Sequence, residues 1–191
     1  MQKTKAPMQD ASGDSSNDST LRLDEAAIKQ AATHLDGGAV TPGYGQWRDQ
    51  IVKLLNDSLA TELVCVLRYK RHYFTAQGIA SSAVAEEFLE HANAEAGHAD
   101  RIAARIVQLG GEPDFNPDTL TQRSHADYDT SSDLKAMIRA NLVAERIAVE
   151  TYRQMVQIIG DKDPTTRRIL EDVLADEEEH ADEMNDLLDK Q

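Results

Sequence analysis

The sequence predicts an all-α fold, a four-helix bundle with a long crossover between its second and third helices and a short helix before it. Three observations support this prediction. Apolar residues recur at helical spacing over long segments, three breaks divide those segments into four, and the chain has only 5 Pro and 10 Gly in 191 residues. Long periodic segments with few helix-breaking residues are typical of helical bundles.

The N-terminal part differs in composition from the rest. Residues 1–22 are rich in Ser, Asp, Asn and Gln and have little to bury, which predicts a disordered tail. Leu23, Ala27, Ala31 and Leu35 then recur at helical spacing before Gly37. We therefore expect residues 23–45 to form a short amphipathic helix and a linker.

Residues 46–191 carry the bundle pattern. The predicted helices span residues 46–76, 83–109, 133–159 and 165–189. The first and last connections are short, so each joins antiparallel neighbours. The segment 110–132 can extend to about 75 Å at 3.3 Å per residue and could recross the whole bundle.

Composition limits the classes of function. The formal net charge is −14 and the pI is about 4.7, so direct DNA binding is not expected and cations are the natural partners. The single cysteine, Cys65, excludes an intramolecular disulfide. No apolar stretch approaches the roughly 20 residues that span a bilayer, and the N-terminus has no apolar signal region. We expect a cytoplasmic protein with no membrane partner.

One glutamate interrupts the apolar stripe of each predicted bundle helix, near its middle. The four are Glu62, Glu95, Glu145 and Glu177. Mid-helix positions share a level in a bundle whichever way each helix runs. Ionised carboxylates in a dry core cost several kcal/mol each, so this pattern points to bound cations.

Histidines follow two of these glutamates at the third position, His98 after Glu95 and His180 after Glu177. Residues three apart project from one helix face. Four carboxylates with two imidazoles suit two divalent cations, and this donor set favours iron or manganese over structural zinc. The intervals from Glu62 to Glu95 and from Glu145 to Glu177 are 33 and 32 residues, which indicates two related helix pairs around a metal pair.

The motifs resemble those of a known family, the ferritin-like di-iron carboxylate proteins, in the branch of bacterioferritins and bacterial mini-ferritins. They are Glu62-Leu-Val-Cys-Val-Leu-Arg-Tyr69, Glu95-Ala-Gly-His98, Leu142-Val-Ala-Glu145-Arg and Glu177-Glu-Glu-His180. The resemblance implies two iron ions per chain, with manganese or zinc as alternatives. It also implies that Glu95 and Glu177 bridge the metals, that Glu62 and His98 complete one site, and that Glu145 and His180 complete the other.

Two departures from the family pattern change the expectations. Ala96 stands where haem-bearing bacterioferritins have a methionine ligand, so haem bound by that route is not expected. Only 11 residues follow His180, too few for the fifth helix of the large ferritin cages. A smaller homo-oligomeric shell of about twelve subunits is the expected assembly.

Other residues near the predicted centre have two interpretations each. Tyr69 and Tyr152 follow their glutamates by seven residues and either bond the ligands or donate an electron, or are ordinary core tyrosines. His91 either guides iron or is an exposed helix histidine, and Cys65 either lies beside the centre or is an inert buried thiol. The acidic residues of the last helix form a solvated face or an iron-collecting surface.

The resemblance implies a ferroxidase, an iron storage and detoxification protein that oxidises Fe(II) with O₂ or H₂O₂ inside a protein shell. A di-iron or di-manganese oxidase or peroxide scavenger without storage is the first alternative. A DNA-protecting mini-ferritin that coats the nucleoid is the second.

Overall fold

The computed structural model describes residues 21–33, 35–78 and 81–189. The predicted disordered tail lies outside these residues, apart from residues 21 and 22. Within the described ranges the chain is helical and contains no strand. The helices are α1 (Glu25–Ala31), α2 (Arg48–Thr75), α3 (Ser81–Gln108), α4 (Leu120–Arg123), α5 (Leu134–Ile159) and α6 (Pro164–Asp189).

The predicted all-α class and the four bundle helices are confirmed as α2, α3, α5 and α6, with ends within a few residues of the predicted ones. Side-chain contacts give their directions. Along α2, Glu62 and then Tyr69 bond Tyr152 and then Glu145 of α5, so these helices are antiparallel. Within the described part of the chain, no helix is apolar enough over its length to cross a membrane.

The crossover between α3 and α5 runs along α2. Asn56 near the start of α2 bonds the Glu112 carbonyl at 3.1 Å, and Arg71 near its end bonds the Ser131 carbonyl at 2.7 Å. Between these points Leu120 of α4 packs against Ala60 and Val64. The crossover therefore spans the bundle and starts α5 at the end opposite the one where α3 finishes, as its length predicts.

Local interactions fix the ends of the helices. The Asp133 carboxylate accepts from the Ala136 N–H at 2.9 Å and caps α5. The chain leaves α3 through Gly110, whose φ of 74° favours glycine. At Gly111 a Cβ would lie 2.6 Å from a methyl of Val52, so any larger residue would require that side chain to move.

The core has two apolar layers with a polar layer between them. One layer is built around Leu55, Ile102, Tyr152 and Leu170. The other is built around Tyr69, Phe88, Ile138 and Met184. On every bundle helix the glutamate lies between the residues of the two layers, so apolar packing holds the polar layer from both ends.

The N-terminal segment, unlike the bundle helices, is largely exposed. Asp24 caps α1, which is shorter than the predicted helix and has no buried residue. Leu23 and Leu35 of the predicted apolar stripe are exposed. Part of the predicted linker forms a 3₁₀ segment, Pro42–Trp47, in which Tyr44 packs against the bundle core.

Candidate metal centre

The six predicted ligand residues come from the four bundle helices and meet in the polar layer. Glu62 lies on α2, Glu95 and His98 on α3, Glu145 on α5, and Glu177 and His180 on α6. All six are buried, and no side chain among them is more than about one tenth exposed. Helical periodicity brings them together because each replaces an apolar residue on its helix's inner face.

Their donor atoms form two overlapping groups, each with all atoms within 4.8 Å of one another. The first contains Glu62, Glu95, His98 and Glu177. The second contains Glu95, Glu145, Glu177 and His180. Glu95 and Glu177 belong to both groups, so the two groups are adjacent and share these carboxylates.

These donor atoms face a common space without bonding one another. Eight buried side-chain nitrogen or oxygen atoms of the described residues lack a hydrogen-bond partner, and seven belong to these six side chains. His98 Nδ1 lies 3.2 Å from Glu177 Oε1 and 3.4 Å from Glu62 Oε2, yet makes no hydrogen bond with either. Buried polar atoms are rarely left unbonded, and convergent ones fit a metal ion.

Two tyrosines donate hydrogen bonds to Glu62 and Glu145, the two glutamates that are not shared between these groups. The Tyr152 hydroxyl donates to Glu62 Oε1, and the Tyr69 hydroxyl donates to Glu145 Oε1. In both cases the other carboxylate oxygen is left facing the centre. Burial, together with the neighbouring carboxylates, raises the pKa of both tyrosines, so both hydroxyls keep the protons that they donate.

Burial also disfavours charge on the carboxylates. Burial and then repulsion by Glu62 raise the pKa of Glu95 to about 8. Burial and then Glu95 raise the pKa of Glu145 and of Glu177 as well. Without cations Glu95 therefore retains its proton at neutral pH, and a cation would replace it.

His98 is oriented by a residue that the sequence analysis did not identify. Its Nε2 lies 3.0 Å from the carboxylate of Asp176, and its Nδ1 faces the centre. A carboxylate behind a ligating histidine fixes the ring and raises its basicity. The sequence contained a weak signal, since Asp176 directly precedes Glu177, but its reach to α3 depends on how the helices pack.

His91 is buried, and the interpretation of it as an exposed helix histidine is wrong. Its side chain is 1% exposed because it packs between Tyr69 and His180, with a ring distance of 4.1 Å to His180. Its Nδ1 lies 3.1 Å from the Tyr69 hydroxyl and its Nε2 lies 2.9 Å from Glu183 on α6. His91 therefore connects the surface of α6 with the tyrosine that holds Glu145.

Cys65 and Ala96 contribute no donor to the two groups. Cys65 is buried with its sulfur 3.4 Å from Arg68, and burial raises the pKa of its thiol well above the usual value. It is absent from the candidate metal groups of the described residues. Ala96 is half-buried and presents only a methyl group at the position considered for haem.

The chain is similar to known proteins over most of its length. The family model of the ferritin-like domain matches residues 52–191. A nutrient stress-induced DNA-binding protein of a Synechococcus species is 30% identical over 69% of this chain and 77% of its own. The bacterioferritin of Rhodobacter capsulatus is 26% identical over 70% of this chain and 79% of its own.

Solved structures show the same fold. The bacterioferritin-related protein of Bacteroides fragilis, a dodecameric thioferritin, has a TM-score of 0.72 and 28% identity over 87% of this chain and 94% of its own. Dps from Thermosynechococcus elongatus has a TM-score of 0.72 over 76% of this chain and 94% of its own, at 18% identity. The latter similarity concerns the fold alone.

We predict that Glu95→Gln stabilises the metal-free protein. The raised pKa of Glu95 means that its contribution to stability is present below its unfolded pKa and is lost as the pH rises to about 8. Glutamine does not titrate, so the advantage of the variant grows with pH. We expect about 1 kcal/mol or more at pH 8, which corresponds to about 2–4 °C in apparent melting temperature, measured with a chelator.

The matched control is Asp100→Asn, an exposed carboxylate on the same helix, which should leave the melting temperature unchanged at both pH values. A Glu95→Gln protein that is no more stable than wild type at pH 8 would contradict a repulsive buried centre.

Proposed function

The chain belongs to the ferritin-like family, and we propose that its buried centre oxidises Fe(II) to Fe(III) with O₂ or H₂O₂ for storage in a protein shell. The observation that carries the proposal is the set of seven unbonded buried donor atoms in two overlapping groups. Fe(II) is the substrate, and Glu62, Glu95, His98, Glu145, Glu177 and His180 would bind it.

The chain's own residues account for binding two ions. Four carboxylates balance the charge of two divalent cations, and two neutral imidazoles add nitrogen donors that suit iron. Glu95 and Glu177 face both positions and place the two ions side by side. Tyr152 and Tyr69 restrain Glu62 and Glu145, so each presents one oxygen to one position.

Two bound Fe(II) ions match a two-electron oxidant. Each ion gives up one electron, so that H₂O₂, two electrons and two protons yield two water molecules. The two protons come from solvent, because the carboxyl of Glu95 gives up its own proton when the cations bind. The two apolar layers close the centre above and below, which limits access by bulk water.

We predict that Glu95→Gln abolishes rapid Fe(II) oxidation, because it removes the charge of a carboxylate that faces both positions. The rate should fall by more than about 100-fold, beyond the upper end of losses for residues that merely orient a ligand. Stopped-flow absorbance after aerobic Fe(II) addition measures this. Asp100→Asn should retain the wild-type rate, and a Glu95→Gln protein with that rate would contradict the proposal.

Storage separates this function from a di-iron oxidase or peroxide scavenger that uses the same ligands. The similarity to the dodecameric thioferritin of Bacteroides fragilis supports a shell of twelve chains. We predict a particle of about twelve 21.1-kDa chains by mass photometry, which retains far more iron than two ions per chain after aerobic loading. A particle that retains no more than two irons per chain would favour the enzyme without storage.

DNA protection is the second candidate, because the Synechococcus relative is named a DNA-binding protein. The net charge of −14 opposes contact with phosphates, and residues 1–22 contain only Lys3, Lys5 and Arg22 as basic groups. We predict no retardation of plasmid DNA in a gel shift at low salt, with a basic protein as positive control. Retardation that disappears on adding salt would establish direct DNA binding.

A further inference from the structure

Arg68 is a buried positive charge that the proposed function does not use. Its side chain is 1% exposed. Nε donates to Asn141 Oδ1 at 2.8 Å, one terminal nitrogen donates to the Asp127 carbonyl at 3.3 Å, and the other donates to the Cys65 sulfur at 3.4 Å. An amide, a backbone carbonyl and a thiol are all neutral acceptors, so these contacts do not balance the charge of the guanidinium.

A second buried arginine shows how such a charge is usually balanced. Arg105 is 3% exposed and pairs with the buried carboxylate of Asp163 at 2.8 Å. Arg68 has no such ion pair with any of the residues that the structure describes. An unpaired buried charge is strongly destabilising, so we expect more distant negative groups to balance that of Arg68.

The carboxylates of the candidate metal centre lie beyond the Tyr69 ring. The guanidinium carbon of Arg68 is 5.4 Å from the centre of that ring, and the Tyr69 hydroxyl donates to Glu145. Asn141, which accepts from Arg68, lies one turn before Glu145 on α5. Arg68 therefore borders the second group of donor atoms, the one that contains Glu145.

The other half of the bundle has no charge at the equivalent place. Counted from the glutamates of α2 and α5, Thr151 is the counterpart of Arg68, and Ser58 is the counterpart of Asn141. Ser58 donates to the sulfur of Met155 at 3.2 Å, so a neutral pair makes the equivalent contact between α2 and α5. The internal repeat thus supplies matching ligands, whereas the buried positive charge borders the second group alone.

The sign of this charge decides its effect. Each divalent cation brings two positive charges into the layer of carboxylates. A fixed positive charge beside that layer attracts the empty carboxylates and repels the cations that fill them. Such interactions are stronger in a buried, low-dielectric region and are less screened there by salt.

We propose that Arg68 lowers the affinity of the second group for a divalent cation, so that two Fe(II) ions bind in a fixed order, the first of them at the group of Glu62 and His98. The inference rests on the proposed function only in that the centre binds Fe(II), and it makes no use of the oxidation step.

Two double variants isolate the groups for the test. Glu62→Gln with His98→Ala removes the unshared donors of the first group, and Glu145→Gln with His180→Ala removes those of the second. Each full assembled protein is titrated with Co(II), an air-stable divalent probe, at neutral pH and 0.15 M salt, and binding is followed by visible absorbance. We expect the protein that keeps the second group to bind Co(II) about tenfold more weakly than the protein that keeps the first.

Substitution of Arg68 assigns this difference to its charge. Arg68→Gln removes the charge and leaves an amide that can donate to Asn141. In the protein that keeps the second group, it should tighten Co(II) binding about tenfold, and in the protein that keeps the first group by less than about threefold. Structural damage would weaken binding, so a tighter affinity is a result that a purely structural role does not produce.

Two further variants serve as controls. Arg68→Lys keeps the charge and should keep the weak affinity of the second group. Arg71→Gln is the matched control, because Arg71 also lies on α2 and also bonds carbonyls of the crossover, those of Thr130 and Ser131 at 2.8 and 2.7 Å. It is only partly buried and should leave the affinities of both groups unchanged.

The outcomes separate this inference from the proposed function. Equal affinities of the two groups, or an Arg68→Gln protein that binds Co(II) no more tightly at the second group, would overturn the role of Arg68 and leave the proposed centre intact. The comparison between the groups needs no variant of Arg68, so it decides even where Arg68→Gln does not fold. A wild-type protein that binds no Co(II) would overturn the proposed centre itself.

Discussion

Four carboxylates at one level of a bundle core repel one another and lack water, so the fold has to hold them together by other means. Apolar layers on both sides supply that force: one around Leu55 and Ile102, the other around Phe88 and Met184. Each layer takes side chains from all four bundle helices, so the bundle can keep the carboxylates in place before any cation arrives. In the proposed function, bound cations would offset this repulsion.

Much of the fold could be predicted because its determinants are local. Helical periodicity, the breaks at Gly110 and Gly160, and the capping residue Asp133 all act within one or two turns. The length of the crossover allowed it to recross the bundle, but its path along α2 is set by contacts that the sequence pattern did not reveal. The N-terminal helix shows the limit of this reasoning, since an apolar stripe predicts a helix but not a surface to cover it, and Ile28 remains 51% exposed on the described chain.

The site divides in the same way between local and long-range determinants. Glutamates that interrupt an apolar stripe are visible in the sequence, and equal heights along four helices bring them together. The roles of Asp176 and His91 depend instead on contacts between α3 and α6, 78 and 92 residues apart in sequence. A rotation of either helix by one residue would separate these pairs, and no pattern within a single helix specifies that rotation.

The repeat explains why the two groups of donor atoms match, and its imperfection explains why their surroundings differ. Each half supplies one glutamate held by a tyrosine and one Glu-x-x-His pair, so the inner shells are alike. Behind them, His91 in one half reaches acidic groups at the surface, while Val173 in the other closes the layer with apolar packing. The donor residues of the two groups are therefore alike, whereas the acids behind them differ, since Glu183 contacts His91 beside one group and Asp176 contacts His98 of the other.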